Sequence, residues 1–149
     1  VSVTGDVQNP KNLLVRIGKS FFSLIEECGG PRGDMRKVIS GGPMMGVAQS
    51  RDVPVVKGTT SILVFNEDRV KEEEEMPCIR CGRCIEACPM NMMPTKLVDL
   101  VRKEKWEEAK DYGIMRCDLC GSCAYVCPSK IPFIEEIKKG QEHLRSQEE

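Results

Sequence analysis

The chain has 149 residues, 40% of them hydrophobic but only 5% aromatic, and a formal net charge of −1. That length fits one ordinary domain or two small ones, and a small core with few aromatics calls for another source of stability such as metal or disulfides. The near-zero charge excludes a long-range field drawing the chain to nucleic acid or anionic lipid, and short apolar runs such as 62–65 exclude a direct membrane span, which takes roughly 20 residues.

With no secretory h-region either, the chain reads as soluble and intracellular, any membrane contact coming through a partner. Composition divides it near residue 70, because eight of the nine cysteines follow that point. Residues 1–4 form a short β-like run ending at Gly5-Asp6, and Asn9-Pro10 is a turn. Residues 13–17 suit a second strand. Ser20 is placed to cap a helix over 21–28, with Leu24 and Ile25 inward and Gly29-Gly30 as its stop. Val38-Ile39 begins a strand closed by Gly41-Gly42-Pro43, and 53–56 and 61–65 are further strands. Two strands, a helix and more strands predict a small α+β unit of the β-grasp kind over 1–68.

The stretch 69–76 includes four consecutive glutamates, Glu72 to Glu75, and reads as a solvated acidic linker. Residues 77–149 read as mostly α-helical. Pro94 suits the first turn of a helix carrying Leu97, Val98, Leu100 and Val101. A second helix covers about 105–112 and stops at Gly113. Pro132 opens a last amphipathic helix with Phe133, Ile134, Ile137 and Leu144 inward.

The chemistry lies in a repeat. Residues 78–89 read CIRCGRCIEACP and 117–128 read CDLCGSCAYVCP, both C-x2-C-G-x-C-x3-C-P, offset by 39 residues. Three thiolates at x2 spacing can wrap one [4Fe–4S] cubane, and in the bacterial two-cluster pattern the fourth ligates the other cluster. This predicts cluster I on Cys78, Cys81, Cys84 and Cys127, and cluster II on Cys117, Cys120, Cys123 and Cys88. Gly82 and Gly121 allow close backbone approach, and Pro89 and Pro128 bend the chain away. Zinc sites favour C-x2-C pairs separated by a longer gap, and x2 cysteines rarely suit disulfide geometry. A radical-generating cluster would leave one iron open, whereas here every iron has a candidate ligand. The sites therefore read as carriers, with no catalytic residue.

Smaller features divide two ways. Arg80 and Arg83 lie inside the first motif, where the second has Leu119 and Ser122. Positive charge favours the reduced cluster and would give cluster I the higher potential; facing water, it is screened within roughly 8 Å. Met90, Met92 and Met93 either shield a cluster or fill the core. GGPMMG at 41–46 lacks a phosphate-loop pattern and reads as a turn, with a partner-facing methionine pair as the alternative. Cys28 reads as a buried apolar residue, and His143 as a solvent-facing one.

The stretches KVISGGPMMGVA, VPVVKGTTSILVF, PCIRCGRCIEACPMNMMPTKL and CDLCGSCAYVCPSKIPF together resemble the RnfC family of the Rnf electron-transport complex. The helical residues between the motifs resemble the α-helical ferredoxin domains of respiratory iron–sulfur subunits. The resemblance implies that the first half is an SLBB domain and the second an α-helical 2[4Fe–4S] ferredoxin domain. It implies electron relay within a membrane-bound complex that exchanges electrons between ferredoxin and NAD while moving ions. It also implies a cytoplasmic position, peripheral on the inner face of the cell membrane. FMN and NADH sites are implied for an upstream part of a longer parent protein, because this sequence has no dinucleotide loop. The rival readings are an iron–sulfur subunit of a soluble dehydrogenase or heterodisulfide-reductase-like complex, and a ligand-binding β-grasp protein with structural metal.

Overall fold

The computed structural model describes residues 1–70 and 73–147. The chain divides into two compact units, Val1–Glu72 and Glu73–Glu149. The first contains β1 (Ser2–Gly5), β2 (Lys11–Asn12), α1 (Phe21–Glu27), β3 (Met35–Ser40), β4 (Val47–Gln49) and β5 (Ser61–Asn66). The sheet order is β2-β1-β5-β3-β4. Its central pair, β1 and β5, is parallel, and the other pairs are antiparallel. A parallel pair needs a long crossover, and α1 lies within it. The Ser20 hydroxyl accepts from the Ser23 amide at 3.2 Å, satisfying a donor that the first helical turn leaves open. Leu24 and Ile25 then pack with Val3, Val7, Val38, Ile62 and Val64 in one core. On β5, burial of Ile62 and Val64 follows the period of two expected of a strand.

Three strand expectations change. The stretch 13–17 is not a strand. Leu13 and Val1 exchange backbone bonds, after which the chain leaves the sheet with Leu14 and Ile17 exposed and turns at Gly18. The stretch 53–56 makes only a single bridge, between Ser20 and Pro54, carried by the Phe21 N–H to the Val53 carbonyl and the Val55 N–H to the Lys19 carbonyl. Beyond it the Gly18 N–H, and not that of Lys19, donates to the Val55 carbonyl, so no ladder continues. Conversely, β4 is a strand beyond those expected. It pairs with β3 across the GGPMMG loop, which therefore is a hairpin turn, with Met44 and Met45 exposed at its tip.

The second unit contains α2 (Arg83–Glu86), α3 (Pro94–Arg102), α4 (Trp106–Asp111), a 3-10 turn (Ile114–Arg116), α5 (Ser122–Val126) and α6 (Phe133–Ser146). α3, α4 and α6 correspond to the three expected helices. α2 and α5 are single turns inside the cysteine motifs, too short to show a periodic pattern. Leu97, Val98, Leu100 and Val101 of α3 pack with Ile114 and with Phe133, Ile137 and Leu144 of α6. His143 is half-buried and stacks on Trp106 with ring centroids 4.1 Å apart, so it does not simply face solvent.

The acidic stretch also departs from a free connector once it reaches Glu73. Glu73 pairs with Lys130 at 2.7 Å, and Glu75 with Arg102 at 2.8 Å. The Met76 amide donates to the Ser129 carbonyl at 2.9 Å. Arg102 bonds both Glu75 oxygens and reaches Glu136 with Nε at 2.7 Å. These carboxylates raise the guanidinium's pKa further, and Arg102 in turn lowers that of Glu75. Lys71 and Glu72 lie outside the described residues.

Gly140 of α6 sits where another side chain has no room. A Cβ there would lie 2.6 Å from Ile114 Cδ1 and 2.7 Å from Val101 Cγ2. Alanine would gain about 1 kcal/mol of helix propensity, but overpacking costs about 1–3 kcal/mol. Gly140→Ala is therefore expected to lower the urea midpoint of the holo chain. An unchanged or higher midpoint would show that α3 and α6 part freely here.

Candidate metal centre

The two motifs adopt the same backbone, position by position. Arg80 and Leu119, 39 residues apart, have φ of 55° and 53°. Asn91 and Lys130, again 39 apart, both have φ of 51°. Gly82 and Gly121 have φ of 79° and 82° and cap α2 and α5. Even α3 and α6 begin at matching positions, Pro94 and Phe133. Non-glycine residues with positive φ are uncommon and carry strain. Their recurrence shows that the tight winding is a property of the motif and not of one loop.

This winding brings the eight cysteines into two groups. Cys78, Cys81, Cys84 and Cys127 line one cavity of about 450 Å³. Cys88, Cys117, Cys120 and Cys123 line a second, narrower hollow of about 20 Å³. Each cavity thus takes three thiols from one motif and the last cysteine of the other. None of the cysteines is in a disulfide.

The residues fit an iron–sulfur cubane by their donor chemistry. The Arg80 and Met92 amides lie 3.4 Å from the sulfurs of Cys78 and Cys88, as donors able to support thiolate charge. Cys84 and Cys123 are buried. Burial pushes the Cys84 and Cys117 thiols up, and Cys123 to about 11. Such thiols give up their protons readily only to a metal, which supplies the compensating charge. Among the described residues no three His, Cys, Asp or Glu side chains converge on a single-ion position. The thiols stand around cavities instead, as a multi-iron body with its own corners requires. The first cavity has ample room. In the second, the thiols must open outward to seat a cubane.

The surroundings differ. Cys78 and Cys81 are exposed, whereas Cys88, Cys117 and Cys120 are half-buried. Arg80 and Arg83 are both exposed, Arg80 at the rim of the first cavity. Met92 is buried in the core and also lines the second cavity, so shielding and filling coincide there. Met90 and Met93 are exposed, at the rims of the second and first cavities respectively. Cys28 is wholly buried in the core of the sheet unit, apart from both groups.

Two supporting residues had no sequence signal. Ser129 is 2% exposed and donates from Oγ to the Pro77 carbonyl at 3.0 Å. It thereby fastens the chain just before Cys78 to the chain just after Cys127. Gln141, also 2% exposed, donates from Nε2 to the carbonyls of Ile114 and Cys117 at 2.8 and 2.9 Å. Only the 39-residue offset, extended past the cysteines, singles out Gln141: it takes the place that Arg102 holds in the first copy.

Comparison with known proteins finds one family in each half of the chain. The SLBB domain family matches residues 1–48, and the 4Fe-4S dicluster domain family matches residues 77–131, which indicates two [4Fe–4S] clusters. The C subunit of the proton-translocating ferredoxin:NAD(+) oxidoreductase complex of Clostridium ljungdahlii is 48% identical over 108 residues, 72% of this chain and 24% of that protein. Its Na(+)-translocating counterpart in Acetobacterium woodii is 38% identical over 117 residues, 77% of this chain and 26% of that protein. The C subunit of the ion-translocating oxidoreductase complex of Methanosarcina acetivorans is 38% identical over 148 residues, 99% of this chain and 33% of that protein. The chain spans about a quarter to a third of the length of these relatives. With an SLBB unit of mixed sheet, a helical 4Fe–4S dicluster unit, and relatives of one name aligned along most of its length, the chain belongs to the RnfC family of the ion-translocating oxidoreductase complexes.

Proposed function

We propose that this chain relays single electrons through two [4Fe–4S] clusters, within an ion-translocating ferredoxin:NAD oxidoreductase of the Rnf type. Cys78, Cys81, Cys84 and Cys127 hold cluster I; Cys88, Cys117, Cys120 and Cys123 hold cluster II. The observation that carries this reading is the sorting of the eight thiols into two cavities, three and one from each motif. Bound clusters supply one-electron redox chemistry. The protein's part is to hold them close together, to limit water, and to present N–H groups to the sulfurs.

We read the division as 1–68 for the SLBB unit, 69–76 for the link and 77–149 for the dicluster unit, with the end of the link, from Glu73, bound to the dicluster unit. The partners are the other subunits of the complex. No helix among the described residues is long and apolar enough to cross a membrane. The chain lies peripherally at the inner face of the cell membrane, held there by those subunits. The names of the relatives favour this reading over a soluble dehydrogenase or heterodisulfide-reductase-like subunit. Cluster I is the face for exchange with an outside carrier, since its cavity is the wider and two of its thiols reach the surface.

Anaerobically reconstituted chain is expected to contain about eight iron and eight sulfide per molecule, and about four after loss of one cubane. Cys127→Ser should remove or alter the EPR signal of the cluster held by the first motif, and Cys88→Ser that of the second. Each variant acting on its own motif's cluster would show that the sets are not crossed; a colourless or zinc-loaded chain would end the electron-relay reading.

Because Arg80 and Arg83 are exposed, salt screens their charge. Arg80→Leu and Arg83→Ser are expected to leave the cluster I midpoint nearly unchanged in a redox titration at physiological salt. A clear fall in that midpoint alone would restore the arginines as tuning residues.

A further inference from the structure

The repeat is nearly symmetric in backbone, but one of its copies carries a polar clamp that the other lacks. Gln141 lies within α6 and is 2% exposed. Its Nε2 faces the carbonyl oxygens of Ile114 at 2.8 Å and Cys117 at 2.9 Å. Two carbonyls fix the orientation of the side-chain amide, because its oxygen in that place would meet two acceptors. Both N–H donors are thereby used on the backbone that leads into the second motif. At the matching position of the first copy, Arg102 is engaged with Glu75 and Glu136.

Cys117 lies between two hollows. One contains Cys88, Cys120 and Cys123, with Asp118 on its wall. The other, outside it, is lined by Gln141 together with Met115, Lys138 and Arg145, and Asp118 borders it as well. In a trans peptide the C=O and the following N–H point in opposite directions. Holding the Cys117 carbonyl toward Gln141 consequently turns the Asp118 N–H to the side away from Gln141, and Asp118 borders the hollow of the four thiols.

We infer that Gln141 is a positioning residue for cluster II: its clamp on the Cys117 carbonyl aims the Asp118 amide N–H at that cluster and favours its reduced state. The inference rests on the ligand assignment proposed above. An N–H directed at a cluster or its sulfurs stabilises the more negative, reduced form and raises the potential. The clamp belongs to one copy only, so its removal should touch one cluster only.

The test uses the whole chain loaded anaerobically with iron and sulfide. Wild type must first show two clusters by iron content and EPR; failure there defeats the ligand assignment and not the role of Gln141. Gln141→Met keeps the length and apolar bulk of the side chain but has no donor. It should lower the cluster II midpoint by about 59 mV, a tenfold change in its one-electron equilibrium, with the cluster I midpoint and signal unmoved. Equal potentials and signals in variant and wild type would overturn the inference, as would an equal fall in both clusters. Should the variant load poorly, pulsed EPR of wild type grown with 15N-aspartate gives an independent answer. A 15N coupling to reduced cluster II that disappears in Asp118→Glu is expected, and its absence would overturn the inference.

Discussion

The last cysteine of each motif leaves its own group and joins the other. Cys88 stands with Cys117, Cys120 and Cys123, and Cys127 with Cys78, Cys81 and Cys84. Much of the helical unit can be read as what this exchange demands. The chain must wind tightly enough to aim three thiols inward, which costs positive φ at Arg80 and Leu119. It must then run on through a short helix, so that the fourth thiol emerges on the far side. α3 and α6 follow as covers, and their packing around Ile114 and Gly140 closes the unit. On the proposed ligand assignment, hydrophobic burial and metal ligation act on the same residues, Cys84, Cys123 and Cys127 among them. A core with so few aromatics can be held by such a combination.

Symmetry in the backbone leaves the side chains free to diverge. The first copy is fastened by buried Ser129 on Pro77 and by exposed Arg102 on Glu75. The second is fastened from inside by Gln141. The first cavity is wide, with two surface thiols, and the second narrow. The proposed relay would benefit from such a difference. One station must come close to an outside carrier, while the other is better kept from water.

The sequence makes the chemistry far more legible than the architecture around it. The twelve-residue motif announces the thiols because cluster ligation is local and tolerates little change in spacing. Ser20, Leu24 and Ile25, Pro94 and Gly113 likewise speak for their helices through caps and periodicity. Strand edges do not. Residues 13–17 are apolar enough for a strand, but their place depends on whether a neighbouring strand extends beside them. β4 is three residues long and follows a loop that hides it. α2 and α5 arise from the winding itself rather than from propensity. Ser129 and Gln141 are ordinary polar residues in sequence, and only tertiary contact gives them their roles. Glu73 and Glu75 mislead for the same reason: a run of like charge reads as solvated until Lys130 and Arg102 are found opposite.

The ninth cysteine has a fate of its own. Cys28 is sealed in the core of the sheet unit, and burial raises its thiol's pKa. Sealed from solvent and with no other thiol in its core cluster, it is out of reach of metal and oxidant alike. While iron and sulfide are being delivered to this protein, the folded SLBB unit offers no exposed thiol. A mispaired disulfide between the two halves is blocked for as long as that core stays closed. The one thiol of the sheet unit is thus kept apart from cluster assembly by packing alone.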